Sequence, residues 1–590
     1  MRMNFLKNVL AAILGFFIAT GILFVVFLFV ISALASTFGD DGKIIVKENS
    51  VLVLDFKEPI KDYSKEVYFE DFDYKDKDFN GLSSILKAIE IAKTDDKIKG
   101  IHIKSSGNIG GLAMASELRQ ALADFKSSGK FIYAHNDFIT QTDYYLQSVA
   151  DSVFLSPMGE LSFRGLSSEI LFFKEMQEKS GVNMEVIRHG KYKSAVEPFL
   201  ENTMSEANRL QMTELLNSLW NVMATDIAQN RNISIENLNN IAHNLEARTA
   251  ELALKNKLID GIIYSDEFEQ ILCRATNTQN ISDLDFITIN KYAESVVNKA
   301  RLNRPKNKIA VIYAEGEIIY GKGNPEVIGN ETIVESLREA SEDESVKAIV
   351  LRINSPGGSA LASELIHREI ELAKKRKKVY VSMGNYAASG GYYIACNADK
   401  IFAQSGTVTG SIGVFGVLPN VHRLANDWGI NAEQVQTHNH SLEYSIFEKP
   451  TETFIKTTTE SVEMVYNTFL ERVANGRNMT KEQVNEIAQG RVWSGIQAQQ
   501  NGLVDAIGNL QDALQFAASD NNIESFEVKN YPLFKMNFEE ILTRFGVRVK
   551  TKTLKEELGD ESPFERYQQI KSISQQKGIQ ARLPYNISMN

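Results

Sequence analysis

Three observations predict an α/β chain made of two copies of one unit behind a single membrane-spanning helix. The run from Val9 to Ala35 carries no charge over 27 residues. The sequence aligns with itself at a shift of 248 positions, since "YYLQSVADSVFL" starts at Tyr144 and "YYIACNADKIFA" at Tyr392. In each copy, short apolar runs rich in β-branched residues alternate with amphipathic stretches, the pattern of strands and covering helices.

The apolar run comes first. It is long enough for a tilted helix to cross a bilayer, and longer than the 7–15 residues of a signal-peptide apolar core, so the small residues at Ala33–Ala35 do not read as a cleavage site. Arg2 and Lys7 precede it and Asp40 and Asp41 follow. The excess of cations before the span keeps the N-terminus cytoplasmic and places the rest of the chain across the membrane. At 590 residues the chain exceeds one ordinary core, and a net charge of −11 argues against a nucleic-acid binder, which needs clustered cations. The basic "KKRKK" at Lys374–Lys378 closes a helical stretch, where cations suit the C-terminal dipole. Two cysteines, Cys273 and Cys396, are too few for a disulfide framework.

The repeat sets the organisation. The same shift aligns "KIKGIHI" with "SVKAIVL", Lys130 with Lys378, and "GVNME" at Gly181 with "GINAE" at Gly429. The expected parts are an anchor over 1–45, a first copy over 46–297, a basic joint over 298–308, a second copy over 309–536 and a polar tail over 537–590, read as peripheral. Predicted strands are "GIHI", "KFIYAH" and "SVFLS" in the first copy and "AIVLRI", "VYVSM" and "KIFAQ" in the second. A long helix is expected at about Ser205–Gln229, repeated at about Thr453–Asn475.

Chemistry concentrates at four places. In "GNYAASGGYY" Ser389 follows an apolar strand and opens a helix, where unpaired N–H groups favour a developing negative charge. Gly390 and Gly391 let another backbone come close. The plainer reading is a capping serine in a tight turn, but the aligned residue of the first copy is Gln141, and a purely structural cap would more easily survive in both copies. A serine nucleophile needs a base. None of the eight histidines sits in a triad context, there is no G-x-S-x-G, and "THNHS" and the absence of H-E-x-x-H give no case for a metal. Lysine is the other activator, and "KYKSAVEPF" offers Lys193, flanked by small residues and with Arg188 and Lys191 near enough to disfavour another positive charge. Lys193 aligns with Ser441, so each copy holds one member of the pair and lacks the other. That complementary loss predicts one composite site per chain. "RINSPGGSALASEL" places Gly357 and Gly358 between a strand and a helix, as an oxyanion hole or as an ordinary turn. "TVTGSIGVFG" places Ser411 after Gly410, as a hydroxyl that holds the lysine or as an exposed turn serine.

Together "YKSAVEPF", "NSPGGS", "SMGNYAASGGYY" and "TGSIGVFG" resemble the signal peptide peptidase A family in its long, duplicated form, and the likeness runs from the anchor to about Leu510. The resemblance implies a serine endopeptidase of ClpP/crotonase-like fold with a Ser/Lys dyad and no cofactor or metal. Ser389 would be the nucleophile, Lys193 the general base and Ser411 the residue that positions the lysine. Gly357, Gly358 and Gly390 would face the oxyanion and the substrate backbone. It further implies signal peptides and other apolar peptides as substrates, a homotetramer, and a bacterial inner-membrane location with the catalytic domain in the periplasm. A crotonase-like acyl-CoA hydratase or thioesterase, and a non-catalytic membrane scaffold, are the alternatives.

Overall fold

The structure, a computed structural model, describes residues 15, 17–23, 25, 44–63, 66–69, 74–77, 79–104, 107–297, 305–536 and 579–582. It divides into two units, residues 1–46 and residues 47–590. In the first, residues 15, 17–23 and 25 are helical, and the remainder of the expected span Val9–Ala35 lies outside the described residues. Among the described residues no helix is long and apolar enough to cross a membrane.

The second unit contains two parallel sheets built on one plan. The first sheet runs Gly261–Ile262, Ser152–Leu161, Phe131–Ile139, Ile98–Ile103, Ser50–Leu54, Asp285–Thr288, all parallel. The second runs Val492–Ser494, Val408–Gly410, Val379–Ala388, Val346–Ser355, Lys308–Glu315, Glu527–Tyr531, with Lys400–Ala403 beside Val379–Ala388. Only Val492–Ser494 is antiparallel to its neighbour in that row. The six predicted strands all form, and corresponding ones begin 248 positions apart: Ile98 and Val346, Phe131 and Val379, Ser152 and Lys400. Helices Leu112–Lys126 and Ala360–Lys374 keep the same spacing. The predicted long helices are Glu206–Arg231 and Glu452–Arg477, each capped at its start by a hydroxyl, from Ser205 or Thr451, and at its end by a left-handed asparagine, Asn232 or Asn478.

Parallel strands covered on both faces read as continuous apolar runs, and these do. Along Lys308–Glu315, Ile309, Val311 and Tyr313 face one core cluster while Ala310, Ile312 and Ala314 face the other.

Two features tie the copies together. Strand Asn183–His189 of the first copy leaves its own sheet and pairs antiparallel with Val414–Asn420 of the second over seven residue pairs, from Val414 with His189 to Asn420 with Asn183. Arg352 of the second copy, 1% exposed, reaches two carboxylates of the first, with its Nη2 2.7 Å from Asp62 Oδ1 and 2.7 Å from Glu117 Oε1. Burial alone would weaken the guanidinium's hold on its proton, and the two carboxylates more than reverse that.

The polar tail departs from its expected peripheral role. Residues 579–582 form a strand inside a six-stranded sheet, between Gly357–Ser359 and Val414–Asn420. The tail's other residues lie outside those described.

One carboxylate of the Arg352 cluster has a measurable consequence. Burial pushes the Glu117 carboxyl up to about 7 against the pull of Arg352, and Asp62 pushes it the same way as burial. The folded chain therefore holds a proton there that the unfolded chain has released, so this group's contribution to stability is lost as pH rises toward 7, at up to about 1.4 kcal/mol per pH unit. Between about pH 5 and pH 7 the urea midpoint of the wild type should fall more steeply than that of Glu117→Gln, which cannot titrate.

Candidate active site

The crossing strand explains how a lysine of one copy reaches a serine of the other. Beyond His189 the chain turns at Gly190 (φ +118°), and the Tyr192 N–H donates to the Gln489 carbonyl at 2.8 Å. Lys193 follows at the entrance to the short turn Ser194–Val196. Its stem packs on glycine backbone: a Cβ on Gly490 would stand 2.6 Å from Lys193 Cβ, and one on Gly413 would stand 3.2 Å from Lys193 Cδ. Gln211, from the long helix Glu206–Arg231, braces the turn by donating to the Tyr192 carbonyl at 3.0 Å and to Ser194 Oγ at 2.9 Å.

The amine ends among three oxygens. Lys193 Nζ lies 2.9 Å from Ser389 Oγ, 3.1 Å from Ser411 Oγ and 3.1 Å from the Ser411 carbonyl oxygen. Lys193, Ser389 and Ser411 are each 0% exposed. Burial pushes the Lys193 amine well below the ordinary lysine range, and it is the only cause. That corrects part of the sequence reading. Arg188 and Lys191 add nothing to the shift, and the Arg188 guanidinium instead donates to the Lys193 carbonyl at 3.4 Å.

A neutral amine has two N–H donors and one lone pair. The Ser411 carbonyl can only accept, and the Ser411 hydroxyl is free to accept, so the two N–H groups are used there and the lone pair is left for the Ser389 O–H. What favours the neutral amine over the ammonium is burial, since the ammonium would be a buried charge and, among the described residues, no carboxylate pairs with it.

Ser389 sits in a backbone conformation that side chains rarely adopt, φ +56° and ψ −115°. Ser411 is similar at φ +51°. Each such residue costs on the order of 1–3 kcal/mol and persists only where its surroundings impose it. Here the Ser389 N–H donates to the Gly410 carbonyl at 2.8 Å, and the Ser411 N–H to the Arg491 carbonyl at 2.7 Å. The Ser389 side chain makes no capping hydrogen bond, so the capping-serine reading fails on geometry. The helix after it, Gly390–Tyr393, is a single turn. An aligned helix dipole is therefore small, and anion stabilisation rests on individual N–H groups.

Those groups cluster beside the serine. Gly357 (φ +101°) and Gly358 (φ +153°) take conformations that favour glycine, and a Cβ on Gly357 would stand 2.7 Å from the Gly390 nitrogen. A Cβ on Gly390 would stand 3.2 Å from the Gly358 nitrogen. The Gly357 N–H is directed to Ser355 Oγ at 3.2 Å. The structure thus brings Ser389, Lys193, Ser411, Gly357, Gly358 and Gly390 to one place.

The aligned positions do other work. Gln141 accepts from the Arg164 and Gly165 N–H groups at 2.9 and 2.8 Å and ties down a loop, while Ser441 lies in an exposed one. Sequence reasoning missed Gly413, Gly490, Gln211 and Phe415, whose ring centroid is 5.8 Å from Lys193 Nζ. Gly490 in "AQGRVW" reads locally as a mere turn, and nothing in its neighbours ties it to a lysine 297 positions earlier. Among the described residues no group of His, Cys, Asp and Glu is arranged to hold a metal, and Cys273 and Cys396 are both free thiols.

Comparison with known proteins agrees with the duplication. Residues 124–278 and 371–524 each match the profile of peptidase family S49. The chain is 38% identical over 465 residues to Protease 4 of Haemophilus influenzae, covering 75% of each chain. It is 30% identical over 487 residues to the chloroplastic serine protease SPPA of Arabidopsis thaliana, covering 81% of this chain and 70% of that one. A putative signal peptide peptidase SppA of Enterococcus faecium matches at 35% over 251 residues, 42% of this chain and 72% of its own. A solved ClpP1 mutant from Listeria monocytogenes covers 35% of this chain and 94% of its own at 19% identity, with a TM-score of 0.24, at which the likeness carries no argument. With both repeats matched and three-quarters of the chain aligned at 38% identity to a relative, the chain belongs to peptidase family S49.

Proposed function

We propose that this chain is a membrane-anchored serine endopeptidase with a Ser389/Lys193 dyad, which degrades signal-peptide remnants and other apolar peptides at the membrane. One observation carries the reading: a fully buried amine from the first copy stands 2.9 Å from a fully buried, conformationally strained serine of the second. Membership in a peptidase family displaces the acyl-CoA alternative, and no observation favours a scaffold.

In this reading the Ser389 proton passes to the neutral Lys193 amine as Oγ bonds to the scissile carbonyl carbon. Backbone N–H groups at Gly358 and Gly390 stabilise the oxyanion. The ammonium, held by Ser411, then protonates the leaving amine as the C–N bond breaks. A water molecule, with Lys193 again as base, hydrolyses the ester and restores the serine. The apolar substrate class, the tetrameric assembly and the periplasmic placement rest on the resemblance of the motifs, on the uncharged run Val9–Ala35 and on the names of the relatives. An anchor would raise the enzyme's effective concentration toward peptides left in the same bilayer.

Ser389→Ala and Lys193→Met should each lower peptide hydrolysis by at least about 10³-fold with circular dichroism unchanged, and the double variant should be no worse than either single one. Substantial activity in Lys193→Met at neutral pH would rule out the dyad. Gly490→Ala pushes a methyl group into the Lys193 stem and strains a φ of +81°. Since Gly490 positions the base, kcat should fall at least about tenfold with KM little changed, and a rise confined to KM would show that the loop holds substrate instead.

A further inference from the structure

One short piece of the second copy, residues 489–491, touches both the turn that carries Lys193 and the turn that carries Ser411. The Gly490 N–H donates to the Ile412 carbonyl at 2.7 Å and the Arg491 carbonyl accepts the Ser411 N–H at 2.7 Å, which fixes the piece to the residues that hold the lysine amine. Gly490 also backs the Lys193 stem. At the head of the piece stands Gln489, whose carbonyl accepts the Tyr192 N–H at 2.8 Å and whose side-chain Oε1 accepts the Lys191 N–H at 3.3 Å. Two successive N–H groups just ahead of Lys193 thus end on one residue. A Cβ built on Gly190 would stand 2.7 Å from the Gln489 carbonyl carbon and oxygen, so the approach is close on that flank too.

Gln489 holds a conformation that side chains rarely adopt, φ +56°. Such a residue persists only where its surroundings impose it. Here its own N–H donates to the Tyr466 hydroxyl at 3.3 Å and its side-chain amide donates to Asn485 Oδ1 at 2.6 Å, while the Tyr466 hydroxyl donates to the same oxygen at 2.7 Å. Tyr466 is buried, and its ring stacks on His189, the last residue of the crossing strand, at 3.9 Å. A glycine would take the positive φ without cost, so what glutamine adds at this position is its side chain. With its Nε2 anchored on Asn485, its Oε1 is left for the Lys191 N–H.

We propose that Gln489 is a positioning residue for the general base, registering the turn that carries Lys193 against the turn that carries Ser411 so that the lysine amine meets Ser389 Oγ. The inference rests on the Ser389/Lys193 reading. Without the side chain, the lysine turn loses one of its two hydrogen bonds to residue 489 and is free to lift from Gly490. A displacement of about 1 Å is enough to cost about 10²-fold in rate. Water reaching the stem has a second effect. Burial is the only cause of the lowered Lys193 pKa, so a turn that lifts must let that value rise.

Steady-state kinetics of Gln489→Gly and Gln489→Met in the full chain, with the rate of fluorophosphonate labelling measured against pH, test this. Glycine relieves the backbone and removes the side chain, whereas methionine keeps the length and removes the hydrogen bonds. Both should lower kcat at least about tenfold with KM within about twofold, and both should move the midpoint of the labelling profile up by at least about 0.5 pH unit. Should Gln489→Gly melt before assay, Gln489→Met decides. Wild-type kcat and midpoint in either folded variant overturn the inference, as does a loss confined to KM. A fall in kcat with the midpoint unmoved also overturns it, since that marks a general loosening. If the wild type's own profile is unchanged in Lys193→Met, the dyad reading falls and takes this inference with it.

Discussion

The site depends on one ladder of backbone hydrogen bonds, between Asn183–His189 of the first copy and Val414–Asn420 of the second. Ser411 stands three residues before that second strand, and Lys193 stands four residues past the end of the first. The ladder's register therefore sets where the lysine emerges relative to the hydroxyl and carbonyl that hold it. A slip of one residue would turn every side chain of the strand to the opposite face and carry the amine away from Ser389. The apolar contacts of Val196 with Phe415 and Val417 resist such a slip, and the buried Arg352 cluster pins the two parallel sheets elsewhere.

The duplication has been divided rather than merely retained. At the shift of 248 positions, the counterpart of the strand Asn183–His189 is 431–437, an exposed stretch with no strand, and the counterpart of Val414–Asn420 is 166–172, likewise without one. Each copy has kept the half that the other lacks, and this holds for the pairing strands as well as for Lys193 and Ser389. A second, complete site would need both strands in the same relation again, and the described residues contain only one such pair. The strand Asn183–His189 completes the edge of a sheet whose other strands come from the second copy and the tail, which gives the joined chain a geometric reason to be one protein.

Much of this was legible in the sequence because the signals are local or periodic. The six core strands follow from runs such as "AIVLRI" and "VYVSM", and the repeat shift of 248 places their starts correctly. The complementary absence of Ser389 and Lys193 from opposite copies pointed to a shared site. What escaped depends on contacts between distant segments. Gly490 shows its purpose only against the stem of Lys193, and Gln211 only against the turn that it braces. Residues 579–582 look like part of a polar tail, yet they act as a strand because two edges are open to receive one. Of the two causes expected for the lysine shift, desolvation is present and the contribution of nearby cations is absent, for a related reason. Arg188 is close in sequence, but its guanidinium turns to a backbone carbonyl, and burial by the second copy does the rest.

The central claim is that a buried, neutral lysine from one copy activates a serine from the other, and the rate of Ser389 acylation by a fluorophosphonate as a function of pH tests it most directly. Because burial lowers the Lys193 pKa, the base is charged and inactive below that value and neutral above it. The rate should rise with pH through a single ionisation and level off well below the ordinary lysine value of about 10.4, with that ionisation absent from the residual reaction of Lys193→Met. A rate that climbs without a plateau to about pH 10, or a profile unchanged in Lys193→Met, would contradict the account.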